Sequence, residues 1–221
     1  MTGQHVAAVV TGGSSGIGRA ISEALLERGV LVHDMSRSTT GIDVTDPAQV
    51  SEAYDSFGEP PGLLVACAGI IAPALFPEDA SVQDWRRVLD VNLTGTFIVA
   101  LEHVQRLVRA DRPGRIMVMG SPSGRRPSLK NLAYGVSKAA VLALGLGLAR
   151  GLEPHGIRTY VLCPSHVDTP MLRARGFTDI EELSLLDAHE LAAEAARLLL
   201  DDNHLDGQPI YVSRMVTAKQ Q

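Results

Sequence analysis

Short apolar runs alternate along this chain with longer stretches in which apolar positions recur at spacings of three and four residues, the two periods expected of buried strands and amphipathic helices. Val6–Val10 is the first run, and the helical pattern that follows, about Ile17–Arg28, stops before Gly29, a usual helix terminator. Further strand-like runs occupy Val30–Met35, Leu63–Cys67, Arg115–Gly120, Arg158–Cys163 and Pro209–Val212, with a short strand-like piece starting at Asp43. Ser81-Val82-Gln83-Asp84 has the form of an N-cap with an acidic residue at the third helical position. It opens a helical region that continues through Asn92 to about Arg109, and two more helices cover Leu132–Leu152 and Ala188–Leu200. Such alternation predicts a doubly wound, mostly parallel α/β sheet with helices on both faces. One interval breaks the pattern: only Ser38-Thr39-Thr40-Gly41-Ile42 separates Arg37 from Asp43, whereas a parallel crossover needs a dozen or more residues. The third strand is therefore expected to be short, displaced or reached by a tight loop, with one face of the sheet thinly covered.

At 221 residues and 45% hydrophobic content, the chain can bury one large core, so residues 1–221 are read as a single domain with a frayed tail over 214–221. A formal charge of −5, with no basic run longer than Arg125-Arg126, argues against a nucleic-acid partner. The first apolar run starts too early for a cleavable leader, and no apolar stretch is read as reaching the ~20 residues of a membrane span. The expectation is a cytoplasmic protein with no membrane partner. Two cysteines, Cys67 and Cys163, each close a strand-like run, and the seven histidines are scattered. Neither a disulfide framework nor a metal site is predicted.

The chemistry begins with Tyr134 and Lys138, four residues apart in a predicted helix and therefore on one face. Thirteen residues before the tyrosine, Ser121 ends the apolar run Ile116–Met119. A phenol normally holds its proton to about pH 10, and a fixed cation beside it favours release, so the three side chains make a candidate proton-transfer site. Directly after the first strand comes Thr11-Gly12-Gly13-Ser14-Ser15-Gly16-Ile17-Gly18. Glycines allow the backbone to approach a ligand, and the free amides of the helix start attract a pyrophosphate. Placed between a first strand and a first helix, this loop reads as a dinucleotide cradle.

Together with Ser121 and Tyr134-xxx-Lys138, this loop makes the chain resemble the short-chain dehydrogenase/reductase family over nearly its whole length, with a Rossmann-type fold. Asp43-Val44, Cys67-Ala68-Gly69, Asn92-Leu93-Thr94-Gly95 and Pro164 through Thr169 agree in order and spacing. The resemblance implies that Asn92 anchors a water linking Lys138 to solvent, that Ser121 binds the substrate carbonyl, and that Tyr134 exchanges the proton while Lys138 also holds the nicotinamide ribose. It further implies cofactor contacts from Gly12, Ser14, Ser15, Gly16, Ile17 and Gly18, from Asp43, Val44, Cys67, Ala68 and Gly69, and from Pro164, Val167 and Thr169. On the residues alone, Asn92 could be a helix kink and Ser121 a strand-end cap. The chain departs from the family in Ala66-Cys67-Ala68-Gly69 for Asn-Asn-Ala-Gly, in Pro164-Ser165 for Pro-Gly, and in its shortness after Arg37 and between Thr169 and Asp187. A more open pocket is inferred.

Where relatives that prefer NAD carry an acidic residue, this chain has Ser36, followed by Arg37. A hydroxyl and a guanidinium fork suit a 2′-phosphate, so NADP(H) is favoured over NAD(H), with Asp34 keeping the NAD reading open. The expected reaction is reduction of a ketone or aldehyde. Pocket walls are expected from Ile70–Phe76, Pro122–Asn131 and Met171–Leu186, in which Arg125, Arg126, Lys130, Arg173 and Arg175 form either a solvated rim or a receiver for an anionic or carrier-bound acyl substrate. A nucleotide-sensing or scaffold protein on the same fold is the alternative from another class. Gly145, Gly147 and Gly151 would let helices approach within a subunit or between subunits, and a homodimer or homotetramer is expected.

Overall fold

A computed structural model describes residues 6–72, 76–173, 185–201 and 208–213. The predicted tail, and the wall residues Leu75, Arg175 and Phe177, lie outside the described residues. The sheet has six strands, all parallel: β1 (Ala7–Thr11), β2 (Leu31–Met35), β3 (Leu63–Ala66), β4 (Gly114–Met119), β5 (Ile157–Pro164) and β6 (Pro209–Val212), in the order β2-β1-β3-β4-β5-β6. Helices α1 (Gly16–Glu27) and α7 (Ala188–Leu200) cover one face around Ile21, Leu25, Leu162 and Leu199, all fully buried. The other face carries α2 (Pro47–Ser56), α4 (Thr96–Arg109) and α5 (Leu132–Leu152), packed over Leu64, Ile116, Val118 and Val161. Two shorter α-helices, α3 (Val82–Leu89) and α6 (Pro170–Arg173), also occur among the described residues.

The expected third strand does not form. Asp43 instead closes a turn by accepting from the amide and hydroxyl of Thr45 at 3.0 and 2.7 Å, and the chain enters α2 directly. Asp46 caps that helix by accepting from the amides of Ala48 and Gln49, with Pro47 in its first turn, the position where a missing N–H costs nothing. Val50, Ala53 and Tyr54 bury the inner side of α2. The crossover from β2 thus runs through α2 straight to β3, which pairs with β1. No helix fits between Arg37 and Asp43, as expected, but one begins four residues later. The face next to β2 is covered by Phe57, whose ring stacks on His33 at 4.0 Å between centroids. β2 is left as the sheet edge, with Leu31 more than half exposed.

Ser81 caps α3 as predicted, accepting from the Asp84 amide and donating to its carboxylate at 2.7 Å. Between α3 and α4 the helix widens into a π turn over Asp90–Gly95, a local expansion common at functional positions. The reading that no apolar stretch reaches membrane length is corrected by α5 with its flanking turns: Leu129–His155 is long and apolar enough to span a bilayer by length and composition. Alanines and glycines interleaved with its leucines break up the large apolar side chains along this run. One side of α5 lies on the sheet, where a Cβ on Gly145 would stand 2.4 Å from Val161 and 3.0 Å from Val118. Gly147 and Gly151 face open space.

Candidate active site

The parallel sheet brings the C-terminal ends of β1, β3, β4 and β5 to one edge, where ligand crevices form in such folds. Thr11 ends β1 and is buried; its Oγ1 accepts from the amides of Cys67 and Ala68 at 3.0 and 2.9 Å. That pair of bonds ties the loop after β3 to the glycine loop. Gly12 has φ +68°, and a Cβ there would press on the Ala68 backbone at 3.0 Å. At Gly18 a Cβ would meet the Gly12 carbonyl oxygen at 2.3 Å, so the cradle closes only with glycine at both positions. Ser15, at the cap position of α1, makes no side-chain cap bond, which leaves first-turn amides for an anion.

On the opposite wall, Lys138 is buried and its Nζ donates to the Met119 carbonyl at 2.8 Å. That bond fixes the ammonium 5.6 Å from the centre of the Tyr134 ring. Ser121, also buried, caps the turn Pro122–Gly124 by accepting from the Ser123 amide at 3.1 Å. Its oxygen is thus oriented by the backbone while its own proton stays available to donate. The strand-end cap and the candidate carbonyl ligand are the same hydroxyl. Ser121, Tyr134 and Lys138 line one cleft with the glycine loop and with Cys67, Gly69 and Pro164. Val167 and Thr169 border the same cleft, as do Ser165 and His166.

Asn92 is fully buried in the π turn, behind the cleft wall and not on it. Its Oδ1 accepts from the Ile70 amide at 2.8 Å, and its Nδ2 donates to the Ile70 carbonyl and to Ser137 Oγ, both at 3.0 Å. Thr96 Oγ1 donates to its carbonyl at 2.8 Å. Asn92 therefore clamps the loop after Gly69 against α5, a positioning role that the spacing had left open.

A second cleft shares Gly12, Ser15, Ala68 and Gly69 with the first and continues past Ser14, Ser36, Arg37, Asp43 and Val44. Ser36 is buried; it donates to Asp34 and accepts from the Ser14 amide at 3.2 Å. Thr39 also donates to the Asp34 carboxylate. Ser36 therefore acts as a brace between β2 and the glycine loop, and its proton is already committed. Arg37 is about three-quarters exposed and stands 3.8 Å from Asp43, whose carboxyl is held below its ordinary range chiefly by the two Thr45 bonds.

Burial pushes the Cys67 and Cys163 thiols up to about 11 against the opposing charge of Lys138, so neither is a ready nucleophile. No cluster of His, Cys, Asp and Glu with metal-site geometry occurs among the described residues.

The sequence model of the short chain dehydrogenase family matches residues 36–178, the stretch that holds Asn92, Ser121, Tyr134 and Lys138. The chain is a short-chain dehydrogenase/reductase. An uncharacterized oxidoreductase of Staphylococcus saprophyticus is 32% identical over 95% of the chain and 97% of its own length. The 3-oxoacyl-[acyl-carrier-protein] reductase FabG of Salmonella typhimurium is 29% identical over 93% and 95%. Among solved structures, the aldohexose dehydrogenase of Thermoplasma acidophilum superposes with a TM-score of 0.85 at 28% identity, covering 95% of this chain and 92% of that one. As an oxidoreductase of this family, the chain uses a nicotinamide cofactor and acts on small molecules. The two joined clefts fit such a cofactor, because a Cβ would fill the cradle at Gly12 and Gly18.

Sequence reasoning missed the Met119 carbonyl as the seat of Lys138, because a backbone acceptor leaves no mark in the sequence. It also gave no role to Thr11, whose place one residue before the first glycine was its only signal.

Proposed function

We propose that the enzyme reduces a ketone or aldehyde to an alcohol with NADPH, Tyr134 delivering the proton. The observation that carries this reading is the Lys138 ammonium, locked on Met119 and held beside the Tyr134 ring in the cleft that the glycine loop opens into. The nicotinamide, when bound, supplies the hydride. Ser121, with its acceptor side occupied by the Ser123 amide, donates to the carbonyl oxygen and aims it at Tyr134. Tyr134 gives its proton to that oxygen, and the fixed charge of Lys138 stabilises the phenolate left behind. Asn92 keeps Ile70 and α5 in register during the exchange.

Preference for the 2′-phosphate is assigned to Arg37 and Ser38 at the end of β2. Ser38 donates to Ser14 Oγ at 2.8 Å on the exposed side of the cleft. A gluconate 5-dehydrogenase-like structure from Beutenbergia cavernae, 25% identical with a TM-score of 0.81, contains NADP, in keeping with this reading. NAD-dependent alcohol oxidation is favoured by one observation: the Asp34 carboxylate, next to Gly13 of the glycine loop, accepts from Ser36 and Thr39 at the end of β2. Calorimetric titration with NADPH and NADH, repeated on Arg37→Ala, tests the choice. Tighter NADPH binding that falls in the variant while NADH binding is spared supports the proposal; indifference to Arg37 overturns it.

Of the cations around the pocket, Arg125 stacks on Tyr211 at 5.3 Å and Arg173 forms a 2.8 Å pair with Asp168. These partners support the solvated-rim reading over an anion receiver. We further propose a cytoplasmic homodimer or homotetramer. Exposed Phe97, Leu101 and Val108 on α4, with the open Gly147 and Gly151 on α5, are the supporting surface, and sedimentation at several concentrations tests it.

A further inference from the structure

The second cleft, about 600 Å³ and so within the range of ligand sites, has two chemically different ends. Around Ser14, hydroxyls converge: Ser36 Oγ meets its amide at 3.2 Å and Ser38 Oγ its own Oγ at 2.8 Å, with Arg37 alongside. At the other end Ile42, Val44, Ile70 and Val91 form an apolar slot, bordered by Arg87 of α3 and by Asp43, whose carboxylate turns to Arg37 at 3.8 Å. Ile70 is held at this end by Asn92, the residue next to Val91.

Arg87, in the last turn of α3, and Val91, in the π turn that follows, both line this cleft. Arg87 is exposed, and no ion pair to it occurs among the described residues, whereas Arg37, Arg106, Arg112, Arg173 and Arg197 all face carboxylates. The short connection from β2 to α2 places no further element beyond Ile42–Val44. Arg87 is therefore an exposed planar cation that borders the slot from α3.

We propose that Arg87 is a purine-stacking lid: its guanidinium lies on the outer face of the cofactor's adenine, whose inner face rests on the apolar slot. The inference rests on the dinucleotide reading of the two clefts. A flat, weakly hydrated guanidinium suits a π surface, and a phosphate would have to leave the hydroxyl-lined end to reach it. Arg87 therefore contributes affinity for the adenosine half of either cofactor without choosing between them, while Arg37 chooses without stacking.

The test titrates the full chain calorimetrically with 5′-AMP, 2′,5′-ADP and NADPH. Arg87→Ala is expected to weaken all three by a common factor of about fivefold. Arg87→Phe, which restores a stacking surface, is expected to stay within about twofold of the wild type, and Arg87→Lys, which keeps only the charge, to resemble the alanine variant. Arg37→Ala is expected to weaken 2′,5′-ADP and NADPH while sparing 5′-AMP. Unchanged affinities in Arg87→Ala overturn the proposal, as does a loss confined to the two ligands that carry a 2′-phosphate. If the wild type binds none of the three, the dinucleotide reading fails first and the lid with it.

Discussion

Replacing Lys138 by methionine separates what the buried ammonium does for catalysis from what it does for folding. The side chain is 6% exposed and its one described hydrogen bond goes to the Met119 carbonyl at 2.8 Å, so methionine keeps the volume and removes the charge. Taking the 5.6 Å to the Tyr134 ring centre as the working distance, Coulomb's law at an effective dielectric of about 20 gives roughly 3 kcal/mol for a unit charge forming on the phenol. That is about a hundredfold in rate. The folding balance is closer to neutral: a charge-assisted bond of about 1.5–3 kcal/mol is lost, but the desolvation of a buried ammonium is lost too. The expected variant melts within about 1 kcal/mol of the wild type, still binds NADPH, and reduces carbonyl substrates about a hundredfold more slowly. The assay pairs steady-state NADPH oxidation at saturating cofactor with urea unfolding. A variant that folds, binds NADPH and keeps its turnover within about threefold would refute the assigned role of the ammonium, since roughly 0.6 kcal/mol cannot hold the charge argued here.

Three further outcomes are expected. Gly18→Ala places a methyl 2.3 Å from the Gly12 carbonyl oxygen, so nucleotide titration should show no binding at concentrations that saturate the wild type; retained binding would mean that the cradle yields. His103, buried against Tyr54 with 3.1 Å between Nδ1 and the phenol oxygen and with Nε2 unpartnered, has its pKa lowered to about 3 by burial. The unfolded chain, titrating near 6.5, binds the proton first, so stability is full above about pH 6.5 and is lost as pH falls towards 3. Urea midpoints at several pH values should show this slope, and His103→Leu should flatten it. Cys67, with its thiol pushed up to about 11, should react with iodoacetamide at pH 8 far more slowly than a free thiol, and labelling at the rate of glutathione would contradict that shift.

The helices and strands that carry the site were legible because their signals are local and redundant. The bounds Leu132–Leu152 and Ala188–Leu200 follow from periodicity, and Ser81 announced α3 through its cap. α2 was missed although its signals were present: Asp46-Pro47 is a start, and Val50, Ala53, Tyr54 and Phe57 repeat at helical spacing. Asp43-Val44 reads as the start of a strand only because the alternation of strands and helices would place one there. Tyr134, Ser121 and Lys138 could be named because one helix and one strand end bring them together. Asn92 could be named but not given its contacts, since its partners Ile70 and Ser137 come from two other segments. Ser36 was read as a free donor; only the fold turns it inward onto Asp34.

The sheet edge has a consequence for how this enzyme can change over time. Arg37 and Ser38 hang from β2, the outermost strand, whereas Ser121 and the Met119 seat of Lys138 end β4, which is flanked on both sides by other strands. Under the proposed assignment of Arg37 and Ser38 to the 2′-phosphate, substitutions there leave the core layers and the buried seat of Lys138 untouched, so cofactor choice can be altered at the rim without moving the reacting centre.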